Sequence, residues 1–148
     1  MSVKLPIFSV TGSSGAGTTS VKKTFQRIFK REKINASFID GDAFHRYDRA
    51  DMKRVMAEEA EKGNNHFCHF GLEAYLLQEL ENVFRDFGET GTGKTRHYVH
   101  DEDEEKLYGT PPGTFSDWED ISDETEILFY EGLHGAVVTE NINVAQYC

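Results

Sequence analysis

Apolar positions along the chain fall into short blocks, each closed by glycine or acidic residues. Leu5 to Val10 is an apolar run that stops at Thr11-Gly12 and reads as a buried strand. A cluster of glycine, serine and threonine follows, from Gly12 to Ser20. Val21, Phe25, Ile28 and Phe29 then recur at the spacing of one helical face, with lysine and arginine between them. Lys30, Arg31 and Lys33 crowd the end of that helix, where cations suit its dipole. Ala36 to Ile39 is a second short strand, stopped by Asp40-Gly41-Asp42. Strand, glycine-rich turn, helix, strand is the opening of a parallel α/β sheet.

Further on, Asp51 to Lys62 has a helical pattern with Met52, Val55, Met56 and Ala60 inward. Leu72 to Phe87 predicts the clearest helix, with Gly88 as its terminator. Arg96 to His100 predicts a strand. The acidic run Asp101 to Glu105 reads as a solvated loop rather than a cation site, because five adjacent carboxylates repel one another. Tyr108 to Trp118, with two prolines and two glycines, is a loop. Ile127 to Glu131 is a buried strand with a carboxylate at its carboxyl end, and the sheet is expected to finish near it.

The 148 residues suffice for one domain with a core, and 38% hydrophobic residues is ordinary globular composition. No apolar run approaches the ~20 residues of a membrane span, and no signal peptide is evident, so a cytoplasmic protein is expected. The formal net charge of −10 disfavours nucleic acid and anionic membrane as partners. Cys68 and Cys148 form neither a disulfide framework nor a metal knuckle and are expected to be reduced thiols.

Two segments compete as a phosphate loop. Gly88-Glu89-Thr90-Gly91-Thr92-Gly93-Lys94-Thr95 fits G-x-x-x-x-G-K-T to the letter. Gly12-Ser13-Ser14-Gly15-Ala16-Gly17-Thr18-Thr19 departs once, with Thr18 where lysine belongs. Such a loop works because backbone N–H groups wrap the phosphates and a following helix directs its positive end at them. That demands a strand before and a helix after. Only the Gly12 segment has both, so it is the expected nucleotide site. The Gly88 segment reads as a mobile glycine-rich loop whose Lys94 and Arg96 could still touch substrate. Without the lysine, another cation must come from outside the loop, and Thr19 sits where Mg²⁺ is usually ligated.

Glu131 at a strand end is placed as the second acid of such sites, or as a plain surface carboxylate. Asp42 ends the second strand, at the edge where open α/β sheets bind ligands. There it is either a proton acceptor for an attacking hydroxyl or a turn residue after Gly41. His45, Arg46 and Arg49 beside it suggest a site for an anionic co-substrate.

Phe8 to Thr18, Gly41-Asp42-Ala43-Phe44-His45-Arg46, Arg49 to Lys53, Tyr98 to Asp101 and Phe129 to Ala136 together resemble the bacterial phosphoribulokinases of the phosphoribulokinase/uridine kinase family. The resemblance implies an α/β P-loop kinase fold, nucleoside triphosphate hydrolase-like, with a mostly parallel sheet and flanking helices. It implies transfer of phosphate from ATP, with Mg²⁺, to the 1-hydroxyl of ribulose 5-phosphate, giving ribulose 1,5-bisphosphate for carbon fixation. Nucleotide would bind at Gly12, Ser13, Ser14, Gly15, Ala16, Gly17, Thr18, Thr19 and Ser20. Asp42 would be the base, His45, Arg49, Tyr98 and His100 sugar-phosphate contacts, and Thr19 and Glu131 metal ligands. Arg31 falls where a contact for an NADH effector is expected, in an octamer. Ala16 stands where the plant-type branch has a redox cysteine, so thioredoxin control of that kind is not expected. Members of the family are about twice as long. Residues 1–148 are therefore expected to be a single kinase domain truncated at its C-terminal side, with little activity alone. A related uridine or sugar kinase, or an inactive nucleotide-binding fragment, is the alternative.

Overall fold

The structure is a computed structural model and describes residues 5–148. Its main sheet has three parallel strands in the order β1, β5, β2, where β1 is Ile7–Thr11, β2 is Ala36–Asp40 and β5 is Ile127–Gly132. β5 is the last strand in sequence, so the sheet does finish near Glu131 along the chain, but β5 lies in the middle and does not form an exposed edge. The last strand in sequence enters between the first two, and the outer edges belong to β1 and β2. Val10 and Asp40 both lie beside Glu131 in the register, so all three strands finish at one level.

Helix α1, Thr18–Arg31, follows β1 through the glycine-rich turn. Its inward face is narrower than the pattern suggested. Phe29 is buried and Phe25 packs on Phe8, Phe29 and Phe129, whereas Val21 and Ile28 are exposed. Helix α2, Arg49–Glu61, is capped by Asp48, whose side chain accepts from the Asp51 N–H. It begins two residues earlier than expected, and only Met52 is buried; Met56 and Ala60 face solvent.

Helix α3, Leu77–Thr90, buries Leu80, Val83, Phe84 and Phe87. The long helix expected from Leu72 is broken. Leu72–Ala74 form a 3-10 turn, and Tyr75 is extended and bridges to His45. The helix also runs past Gly88 and ends at Gly91, which takes the left-handed conformation (φ 73°). Of the Arg96–His100 strand, only a bridge from Tyr98 to Phe115 forms. The regular pairing lies just before it, between β3, Lys94–Thr95, and β4, Glu119–Asp120.

The acidic run is a helix, not a loop: α4 spans Glu102–Tyr108. Asp101 caps it by accepting from the N–H groups of Asp103 and Glu104. The carboxylates occupy its first turn, where the helix dipole favours negative charge. No helix among the described residues is long and apolar enough to cross a membrane.

The core lies between α3 and the sheet, where Phe84 meets Tyr130 edge to face at 5.6 Å. Phe84→Ala is expected to cost ~3–5 kcal/mol by urea denaturation, the usual loss for a buried phenylalanine. Met56→Ala should stay within ~0.5 kcal/mol, as for other surface changes. Equal losses would contradict this division of the apolar residues.

Candidate active site

The carboxyl ends of β1, β2 and β5 open into one cleft of about 490 Å³. Two glycines allow the strand ends to approach. A Cβ on Gly132 would lie 2.7 Å from the Gly41 Cα, and one on Gly41 would lie 2.5 Å from the Tyr130 hydroxyl. That hydroxyl is held by the Leu133 carbonyl.

On one wall is the turn after β1. Gly15 and Gly17 have φ of 83° and 86°, which only glycine adopts without strain. Gly17 immediately precedes α1 and no side chain caps the helix there, so its first N–H groups face the turn. Gly12, Ser13, Ser14, Gly15, Thr18 and Thr19 line the cleft. Ala16, Gly17 and Ser20 shape the turn and the first helical turn behind it, with Ala16 N–H donating to Ser13 and Ser20 N–H to Gly17. The Thr18 hydroxyl donates to Glu131 at 2.5 Å. The residue in the lysine position therefore contacts the acid of the central strand.

The rival segment cannot form this cradle. Gly88 to Thr90 are the last residues of α3, Gly91 terminates it, and Lys94 is paired with Asp120 at 2.9 Å. Arg96 is not in a mobile loop either; it is half-buried against the backbone of residues 43 and 45.

Across the cleft stands Asp42, in a 3-10 turn over Gly41–Phe44. Its carboxylate meets His45 Nε2 at 3.4 Å and His100 Nε2 at 2.9 Å. The His45 contact chiefly lowers its pKa; burial opposes this, His100 adds to it, and the result is about 2. His100 is in turn raised. Burial pulls it down, but hydrogen bonds to Asp42 and Glu104 outweigh that. His45, Arg49, Tyr98 and His100 all line the same cleft, so the structure brings these expected residues together. Arg49 also donates to the His100 carbonyl at 3.3 Å. Arg46 turns away, to the carbonyls of Glu73 and Tyr75, and does not join the basic cluster. Arg31 lies at the far end of α1, roughly 20 Å along the helix from Thr18, exposed and paired with Glu32.

The sequence pattern missed His69, Phe70, Tyr75, Tyr47 and Leu133, which also line the cleft. His69 stands edge-on to His45 at 5.6 Å, and burial lowers its pKa. No motif surrounds His69; the break before α3 could have been suspected only from Gly71. Lys22 was missed too. It borders a smaller adjoining chamber with Thr19, Asp42 and Glu131, where its ammonium pairs with Asp40.

A hydrogen-bonded carboxylate has a stability signature. The folded pKa of Asp42 lies below its ordinary 3.8, so its contribution is present above 3.8 and lost as pH falls through about 2. The group is half exposed, which limits the effect to ~1 kcal/mol or less. Urea denaturation should therefore show wild type losing more stability than Asp42→Asn between pH 4 and pH 2. Parallel losses would mean that the histidine contacts do not persist in solution.

Residues 7–148 match the model of the phosphoribulokinase/uridine kinase family. The chain is 65% identical over 144 residues to a phosphoribulokinase of Nitrobacter vulgaris, covering 97% of this chain and 50% of that protein. It is 57% identical over 147 residues to the chromosomal phosphoribulokinase of Cupriavidus necator, covering 99% and 50%. The solved phosphoribulokinase from Rhodobacter spheroides superposes with a TM-score of 0.87 at 50% identity, over 98% of this chain and 49% of that one. A putative fructose transport system kinase from Silicibacter, 10% identical with a TM-score of 0.62, shares the fold over 93% of this chain and 58% of its own. The chain thus spans about half the length of the relatives it matches. With a lysine-free glycine-rich turn between β1 and α1, a parallel sheet and the Asp42 cleft, it has a P-loop kinase fold and belongs to the phosphoribulokinase/uridine kinase family.

Proposed function

We propose that this chain carries the phosphate loop, the proton acceptor and part of the sugar-phosphate site of a kinase that transfers phosphate from ATP to the 1-hydroxyl of ribulose 5-phosphate. One observation carries the reading: the Gly12–Thr19 turn and the Asp42, His45, Arg49, Tyr98 and His100 side chains face each other across a single cleft. The matched relatives named phosphoribulokinase support it.

ATP phosphates lie along the turn, held by backbone N–H groups from Gly12 to Thr19 and by the positive end of α1. Thr19 and Glu131 offer hard oxygen donors of the kind Mg²⁺ prefers. Among the described residues no cluster of three or more histidines, cysteines or carboxylates could hold a metal alone. Thr19 and Glu131 would hold Mg²⁺ together with phosphates and waters, and the ion would offset charge on the phosphates. Asp42, kept ionised by His45 and His100, receives the proton of the sugar hydroxyl as it attacks in line. Arg49 and the neighbouring histidines and Tyr98 hold the distant phosphate of the sugar. Lys22 is committed to Asp40, so cations for the transferring phosphate come from outside this chain's phosphate loop. Arg31, exposed and far from the cleft, suits an effector contact, for which NADH bound in an octamer is the proposed setting.

A coupled assay of the intact protein with ATP should show turnover of ribulose 5-phosphate and neither ribulose nor uridine. Uridine phosphorylation would move the chain to the sister kinases. Asp42→Asn is expected to lower kcat by ~10²–10⁴ with little change in either KM. Near-normal turnover would reduce Asp42 to a turn residue. Gly17→Val should abolish ATP binding measured by calorimetry, because its φ of 86° excludes a branched side chain. Lys94→Ala should leave that binding intact, and the opposite result would return the nucleotide to the Gly88 segment.

A further inference from the structure

Arg96 has an environment that its position near a glycine-rich segment does not explain. Its Nε donates to the Ala43 carbonyl at 2.8 Å and its Nη2 to the His45 carbonyl at 2.9 Å. Its guanidinium carbon lies 3.6 Å from the Phe115 ring centroid and 4.5 Å from that of Trp118. None of the ion pairs among the described residues includes it. Burial lowers its pKa to about 10. A half-buried cation satisfied by two carbonyls and two aromatic faces is costly to desolvate, and the planar guanidinium fork fits this arrangement where an ammonium does not.

What it joins gives the arrangement meaning. Ala43 lies in the turn that presents Asp42, and His45 directly follows it. Arg96 sits on the segment that goes on to Tyr98 and His100 and pairs back onto Phe115 and Ser116. Asp42 is thus held by His45 from its own turn and by His100 from the other segment. Phe44 meets Trp118 edge to face at 5.9 Å, so the same ring that stacks on Arg96 also packs on the turn.

We propose that Arg96 is a positioning residue that clamps the Asp42 turn to the Tyr98–His100 segment, so that the proton acceptor and the sugar-phosphate contacts are held as one unit. It touches neither nucleotide nor sugar and acts through the carbonyls of residues 43 and 45. This rests on the kinase reading above for its kinetic consequence, though not for its structural one.

In the intact enzyme, Arg96→Met and Arg96→Lys are both expected to lower kcat with ribulose 5-phosphate by ~10²-fold, the usual consequence of misplacing a reacting group by about 1 Å. KM for the sugar phosphate should rise while KM for ATP stays unchanged, and ethylguanidinium should restore part of the activity of Arg96→Ala. Wild-type kcat in either the Met or the Lys variant overturns the proposal. So does a loss that equals the unfolded fraction measured by circular dichroism, since that describes a staple and nothing more. An activity-free reading comes from ¹³C NMR of the Asp42 carboxyl. Its titration should move from about 2 towards 3.8 in Arg96→Met as the turn shifts and the His45 and His100 contacts loosen. If wild type does not phosphorylate ribulose 5-phosphate but that titration moves, the kinase reading falls and the clamp stands. An unmoved titration overturns the clamp.

Discussion

Parallel pairing of β5 with β1 on one side and β2 on the other is the constraint on which the rest depends. Because Val10, Glu131 and Asp40 share one level, three separate stretches of chain leave the sheet at the same edge. The Gly12–Thr19 turn, the Asp42 turn and the Gly132–Leu133 turn are therefore neighbours without any side chain having to draw them together. The close approach of Gly41 and Gly132 tightens that edge, and the buried Tyr130 hydroxyl fixes the exit of β5. Burial raises the pKa of that phenol, so it remains a neutral donor throughout the physiological range.

Charge is arranged against the background of an acidic chain. The loop has no lysine, and Thr18 instead hydrogen-bonds Glu131. Lys22, one turn into α1, is occupied by Asp40. The cleft's cationic character comes from Arg49 and from histidines, which are weaker and tunable. Against the pull of burial, His100 is raised by two carboxylates, while His69 is lowered, chiefly by burial. These oppositely tuned histidines surround an Asp42 whose carboxyl stays ionised well below the usual carboxylate range.

Local pattern was informative where an element's own residues decide its form. β1, α1, β2 and β5 follow from short apolar runs and glycine stops, and Gly12–Thr19 was legible as the segment that lies between a strand and a helix, which Gly88–Thr95 does not. Where the pattern misled, a nearby physical term was stronger. The acidic run was read as solvated charge, yet Asp101 supplies a cap and the carboxylates sit at the favourable end of α4. Gly88 looked like a helix stop, but Gly91 takes the left-handed turn three residues later. In α2 the apolar spacing suggested a wide buried face, although Met52 is the one residue of that face that is buried.

The sequence by itself determined the α/β class, the glycine-rich turn between the first strand and helix, and Asp42 and Glu131 at strand ends, because strand-end position follows from runs only a few residues long. It also carried the resemblance that assigns His45, Arg49, Tyr98 and His100. Tertiary structure alone decided that β5 lies between β1 and β2, that His100 crosses to Asp42, that Arg46 turns away, and that His69 and Tyr75 enter the cleft. These depend on contacts between residues far apart in sequence, such as Ile7 with Leu128, Asp42 with His100 and Arg96 with Ala43. No local periodicity encodes such contacts, because they arise only when the whole sheet edge has closed.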